Sequence, residues 1–253
     1  MVMRGKPLHF GEATGHHGSP RTFAQTAREI GRVLDSKPGA IPFGIHMMIG
    51  KNHTTFMADT TINERPTAEE LAYIARETAQ VAKRMGHEPR VAFLSYSTFG
   101  NPSGQWLENI RNAVAILDAE NPGFEYEGEM APDAALNPKV MALYPFSRLS
   151  GPANVLIMPG LQSANLSAKL LRELGGETTI GPLMIGSEKP VQIAPMTAIA
   201  PDVLTLAVLA SAGVVGPVHA VPPPSPHLPL PPPSPPPPTT TTLPPPPPPP
   251  PPP

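Results

Sequence analysis

The sequence contains no cysteine, which excludes disulfides, a thiolate zinc site and a cysteine nucleophile. It has no excess of either charge: the net charge is -2 and the Lys and Arg residues are scattered. Neither a nucleic-acid face nor a patch for anionic membranes is therefore expected. No apolar run approaches the roughly 20 residues that span a bilayer, and the N-terminus lacks the apolar core of a signal peptide. These absences together predict a soluble, cytoplasmic protein. Two phosphate signatures are also missing. There is no GxxxxGK[ST] loop and no GxGxxG, so neither a P-loop nor a dinucleotide fingerprint is present.

Proline is what the chain has in abundance. Of 40 prolines, 23 lie between Pro217 and Pro253, and the last ten residues are all proline. That uncharged stretch cannot build a core and predicts polyproline II, extending on the order of 100 Å at about 3.1 Å per residue. Such a tail could serve SH3- or WW-like modules. Met1–Pro20 has no periodicity and also reads as disordered. The His16–His17 pair in it lacks a third ligand at helical spacing, so it reads as a chance surface pair. The foldable part is roughly residues 20–216.

Within that part, Arg148 to Val191 reads as strand, helix, strand. Asn154–Met158 is a short apolar run ending at Pro159-Gly160. Leu166, Leu170, Leu171 and Leu174 recur at helical spacing, Gly175-Gly176 closes that helix, and Ile180–Ile185 is a second apolar run. This pattern predicts a parallel crossover unit. The polar loop Gly160–Asn165 lies where such sheets bind ligands, although an ordinary helix start is the better reading on pattern alone.

Upstream, Phe23, Ala27, Ile30 and Leu34 predict an amphipathic helix over Arg21–Leu34. Phe43–Ile49 and Thr54–Ala58 flank Gly50-Lys51-Asn52 as a β-hairpin. His46 and His53 lie on it without an acidic partner at motif spacing, so both read as structural or exposed. Thr67 followed by Glu70 is a capping box that starts a helix running to Met85, closed by Gly86. Arg90–Tyr96 predicts a strand. The loop Ser95–Gly104 then leads into a helix from Gln105 to Leu117. A hydroxyl-rich strand-to-helix turn of this kind aims backbone N–H groups at one spot that suits an anion, or is simply a capped turn. Phe124–Glu129 reads as a strand, Asp133–Tyr144 as a helix, and Val203–Ala210 as a nearly all-apolar helix started by Pro201 and Asp202 and ended by Gly213.

The segments GPANVLIMPGLQSANLSAKLLRELGG, FMADTTINERPTAEELA, RVAFLSYSTFGNPSG and IGPLMIGSEKPV resemble the phosphate acetyl/butyryl transferase domain. YSTFGNP, FEYEGEMAPDAALN and YPFSRLSGPANVLIMP are similar to the version fused to the C-terminus of bacterial NADP-dependent malic enzymes. The resemblance covers about residues 21–215. It implies a three-layer α/β/α fold with a mostly parallel sheet, of the isocitrate/isopropylmalate dehydrogenase-like kind. In that family two α/β domains enclose an acyl-CoA cleft, and the second is inserted in the first. Residues 21–174 then form the transferase-like α/β domain, with those from about 40 matching the inserted part. Residues 175–216 form a return segment to a first domain whose long N-terminal part is missing, and 217–253 form the disordered tail. The malic and NADP-binding domains are missing too, so the chain looks like a fragment. The resemblance places NADP and a divalent metal only in those missing domains, leaves no cofactor in this chain, and makes acetyl-CoA the expected ligand. It implies a homo-oligomer, or association with malic-enzyme domains, and no nucleic-acid or membrane partner.

The resemblance breaks down at the catalytic motif. Active transferases carry KPVNDLSRG, and this chain reads Lys189-Pro190-Val191-Gln192-Ile193-Ala194-Pro195-Met196-Thr197. Pro195 and Met196 stand where the Ser and Arg are expected, while the family's Asp is retained as Asp202. Glu173 stands where the family has Arg, beside Arg172, and Phe99 replaces the Lys of an STKGS loop. Acyl-phosphate chemistry needs donors that stabilise an oxyanion, and one such donor is worth about 3 kcal/mol. These losses imply no catalytic residues. They leave acyl-CoA or phosphate binding to Ser97, Thr98, Asn165 and Asp202. The function expected is an acyl-CoA-sensing domain that modulates malate decarboxylation. An active phosphate acetyltransferase and a truncated product without activity are the alternatives.

Overall fold

The computed structural model describes residues 23–34, 39–175, 178–194 and 198–212. Met1–Pro20, the proline tail, Gly176, Gly213 and the Pro195–Thr197 segment lie outside the described residues. Helix α1 (Phe23–Ile30) is shorter than its periodicity predicts. Strands β1 (Phe43–Ile49) and β2 (Thr54–Ala58) form the expected hairpin, closed by Gly50 N–H donating to the His53 carbonyl at 2.9 Å. Helix α2 (Ala68–Arg84) starts at the capping box, and Gly86 beyond it takes a left-handed φ of 83°. Strand β3 (Arg90–Leu94), a 3-10 turn at Gln105–Leu107 and helix α3 (Glu108–Glu120) follow.

After strand β4 (Glu125–Met130), the single helix expected over Asp133–Tyr144 is two short ones, α4 (Pro132–Leu136) and α5 (Pro138–Met141). Pro138 is the reason. It disfavours helical backbone at the preceding residue, and Asn137 is extended, at φ -101° and ψ 113°. The Asn137 side chain then accepts from Lys139 N–H at 3.0 Å and starts the second helix. Strand β5 (Val155–Ile157), helix α6 (Leu161–Leu174), strand β6 (Thr178–Ile185) and helix α7 (Ala200–Ser211) complete the order.

All six strands join one sheet in the order β4-β3-β5-β2-β1-β6. Strands β2, β5, β3 and β4 pair in parallel, while β1 is antiparallel to both β2 and β6. Strand β6 therefore runs in the same direction as β5. The crossover through α6 keeps its expected direction but spans two intervening strands rather than joining neighbours.

Alternation along the strands gives the sheet two apolar faces. Phe43, Ile45, Phe56, Val91, Phe93 and Val155 pack with α2, α3 and Leu206 of α7. Met48, Met57, Ala92, Leu94 and Leu156 pack with α4 and α6 on the other side. Burying each large side chain of this kind contributes roughly 1.5–3 kcal/mol. Helices thus cover both faces in three layers. The leucines that betray α6 in the sequence do not face the sheet. Ala164 and Ala168 do, and Leu166, Leu170, Leu171 and Leu174 are exposed, Leu174 at 81%. Small residues on the inner face let the helix lie close to the strands.

The return segment supplies β6, bonded along β1, together with α7, so it is part of this sheet. The outer edge of β6 is broken by Gly181-Pro182, where the register with β1 shifts. Beyond that break the Gln192 amide caps Met184. It accepts from Met184 N–H at 3.0 Å and donates to the Met184 carbonyl at 3.2 Å. At the opposite edge Arg148 grips Glu127 of β4 with two nitrogens and lies 4.6 Å over the Tyr126 ring. Among the described residues, no helix is long and apolar enough to cross a membrane.

Candidate functional site

Because β2, β3, β5 and β6 share one direction, their C-terminal ends open onto one edge of the sheet. The loops after them are 59–67, 95–104, 158–160 and 186–194. This is the edge at which open α/β sheets bind ligands, and three stretches there hold the candidate residues.

The loop after β2 is organised by a residue that composition and motif did not single out. Asp59 is 3% exposed, and its carboxylate accepts from Gly44 N–H at 3.0 Å, Thr61 N–H at 2.8 Å and Asn63 N–H at 2.7 Å. The Asn63 side-chain amide adds a bond at 2.7 Å. An Asp followed by two threonines is the local signal for such a self-bonded turn. Thr60 connects this loop outward. Its carbonyl accepts from Asn165 Nδ2 of α6 at 3.3 Å, and its hydroxyl contacts His46 Nδ1 of β1 at 2.7 Å. Burial first, and the Arg172 charge second, pull His46 down from 6.5 to about 4.

The loop after β3 meets its anion inside the chain. Glu129 is 1% exposed. Its Oε1 accepts from Gly100 N–H at 2.8 Å, Arg111 Nη2 at 2.8 Å and the Ser97 hydroxyl at 3.2 Å, while Oε2 accepts from Arg111 Nε at 2.8 Å. The Glu129 carbonyl takes Phe99 N–H at 3.0 Å. Burial alone would raise this carboxyl, but the bonds from Arg111, Gly100 and Ser97 outweigh it and hold the group below the usual carboxylate range. Thr98 is likewise turned inward, its hydroxyl accepting from Ala131 N–H at 3.0 Å. Phe99 takes a left-handed φ of 49° and packs its ring 5.4 Å from Tyr144 and 4.8 Å from Phe146. Where the resemblance expects a lysine, the loop presents an aromatic cluster.

Asp202 stands in the first turn of α7, where its carboxylate accepts from Ile199 N–H at 2.9 Å. The four expected binding residues thus occupy three places. Ser97 and Thr98 follow β3, Asn165 touches the loop after β2, and Asp202 lies on a helix across the sheet from Asn165. Pro195 and Met196 lie outside the described residues. Glu173 pairs with the adjacent Arg172 at 3.1 Å on the exposed end of α6. Among the described residues, no group of three His, Cys, Asp or Glu side chains could hold a metal ion.

Comparison with known proteins supplies the family. The family model described as "Phosphate acetyl/butaryl transferase" matches residues 7–211. The NADP-dependent malic enzyme of Rhizobium meliloti is 50% identical over 194 residues, which are 77% of this chain and 26% of that protein. The phosphate acetyltransferase of Clostridium acetobutylicum is 36% identical over 183 residues, 69% of this chain and 55% of that protein. Among solved structures, a phosphotransacetylase from Streptococcus pyogenes superposes with a TM-score of 0.72 at 34% identity, covering 77% of this chain and 60% of that one. The chain spans about a quarter of the malic-enzyme relative and little more than half of the acetyltransferase. A six-stranded sheet layered by helices, with four loops gathered at one edge, accords with these matches: the chain belongs to the phosphate acetyl/butyryl transferase family and is a domain shared with NADP-dependent malic enzymes.

Proposed function

We propose that this chain is an acyl-CoA-sensing domain of the malic-enzyme type that does not transfer acyl groups. One observation carries the reading: the Ser97 hydroxyl and the Gly100 N–H of the hydroxyl loop, with the Arg111 fork of α3, are turned onto Glu129 and not towards a substrate oxyanion. Acyl transfer requires preorganised donors at the developing charge, each worth about 3 kcal/mol. Pro195 and Met196, in the motif after β6, supply no side-chain donor either. Binding is less demanding than catalysis. The exposed edge still offers Tyr96, Trp106, the Phe99 cluster and the first turn of α6 to a nucleotide thioester. The ligand proposed is acetyl-CoA. In a longer assembly its binding would modulate malate decarboxylation, with this chain associating with malic-enzyme domains or with its own copies. Under this reading NADP and a divalent metal belong to malic-enzyme domains and not to this chain.

Calorimetric titration with acetyl-CoA, run beside an acetyl phosphate assay, tests the reading. Saturable binding without acetyl phosphate formation is expected. Acetyl phosphate above a no-enzyme control would establish an active acyltransferase instead, and the absence of both signals would leave an inactive product.

A further inference from the structure

Glu129 owes its position to an irregularity in β4. The register pairs Ala92 with Glu127, Phe93 with Gly128, and then Leu94 with Met130. Glu129 is the residue skipped. Without the bulge it would oppose Leu94, on the face where Leu94 and Met130 pack with α4 and α6. A carboxylate there would be buried among apolar side chains without a partner, which is strongly unfavourable. The bulge gives that place to Met130 and re-aims Glu129 towards Arg111 of α3 and the loop after β3.

Three groups from two elements converge on this carboxylate: the Ser97 hydroxyl, Gly100 N–H and the Arg111 fork. A guanidinium fork with a hydroxyl and an amide N–H makes a pocket for a planar oxyanion. We propose that this pocket is a carboxylate site whose resident is Glu129, and that Glu129 is the positioning residue which fixes loop Ser95–Gly104 for ligand binding at the sheet edge. The part concerning ligand rests on the acyl-CoA reading above. The part concerning the pocket does not.

The only tryptophan, Trp106, stands at the end of this loop and is 78% exposed, so its emission reports the loop directly. Three proteins are compared: wild type, Glu129→Ala and Glu129→Gln. Melting temperature, Trp106 emission and acetyl-CoA affinity are read with sodium formate or with sodium chloride at equal ionic strength. Glu129→Ala should lose melting temperature, shift Trp106 emission and weaken acetyl-CoA about tenfold, one buried charged hydrogen bond being worth that much. Formate, a free planar carboxylate, should restore all three, and chloride should not. Glu129→Gln should show losses that formate leaves unchanged, because its amide still fills the pocket.

Equal rescue of Glu129→Ala by chloride and formate, or rescue of Glu129→Gln, overturns the proposal. So does a wild-type emission and melting temperature in Glu129→Ala. If Glu129→Ala does not fold without formate and folds with it, the pocket is established. If it folds with neither, an Arg111→Gln variant decides: wild-type emission and melting temperature there overturn the proposal. A wild-type protein that ignores acetyl-CoA refutes the acyl-CoA reading alone, and the formate comparison still decides the pocket.

Discussion

His46 Nδ1 lies 2.7 Å from the Thr60 hydroxyl, and that hydroxyl donates its own proton to the Gly44 carbonyl at 3.1 Å. With the Thr60 proton on the Gly44 carbonyl, the Thr60 oxygen can accept from Nδ1, which matches the tautomer whose Nε2 is unprotonated. The imidazole is a neutral strut between β1 and the loop after β2, and protonating it would place a cation in a half-buried position that already feels Arg172.

A pH dependence follows. The folded pKa of about 4 lies below the ordinary 6.5, so the unfolded chain binds the proton more readily across that interval. Stability is full above about 6.5 and falls as the pH drops towards 4, by at most about 3 kcal/mol. Urea denaturation at a series of pH values should show this slope in the wild type. His46→Asn, whose amide can still donate to Thr60, should flatten it between 6.5 and the range where carboxylates titrate. Equal slopes in both proteins would remove His46 from the account.

The capping box is the most local prediction. Thr67 N–H donates to Glu70 at 2.8 Å, and Glu70 N–H donates to the Thr67 hydroxyl at 3.3 Å. Thr67→Ala should cost about 1 kcal/mol. The double change with Glu70→Ala should cost less than the sum of the single changes, because the bonds are reciprocal. Additive losses in thermal unfolding would contradict this.

Gly128 is needed for a steric reason. A Cβ there would stand 2.7 Å from Phe93 Cβ and 3.1 Å from its carbonyl, on the adjacent strand. Gly128→Ala should therefore cost about 1–3 kcal/mol and disturb the bulge that places Glu129. The expected signature is a lower melting temperature together with a shift in Trp106 emission. A variant that melts like the wild type would show that β4 can yield.

Helix α7 should be the weakest ordered helix on its face. Only Leu206 is buried, while Ile199, Leu204 and Val208 are exposed. Amides of Val203–Ala210 should exchange faster than those of Val155–Ile157, which lie between β2 and β3 inside the sheet. Equal protection in a dilute monomer would mean that α7 is covered by contacts beyond those described.

What the sequence revealed was local. The capping box, the hairpin around Gly50 and the left-handed Gly86 need only neighbours along the chain, and each stands where the residues put it. The break at Pro138 was also written there, since a proline inside a helix conflicts with helical backbone at the residue before it. The inward turn of Ser97 was not legible. It depends on a one-residue slip in β4, more than 30 residues away in sequence, and the only local mark of that slip in EYEGEM is Gly128, which does not say where Glu129 will point. The α6 leucines located their helix but not its buried face. Periodicity identifies a helix and its stripe, but only the packing decides which stripe faces the sheet, and here the alanines do.

The Gln192 amide on Met184 has one more consequence. A sheet with a bare rim is a template on which copies can add strand after strand, and such growth has no natural end. On the β6 rim a proline, a register slip and a borrowed amide interrupt that template. On the other rim Arg148 lies across β4. Neither rim therefore offers the unbroken row of backbone groups on which copies of a chain could stack without limit.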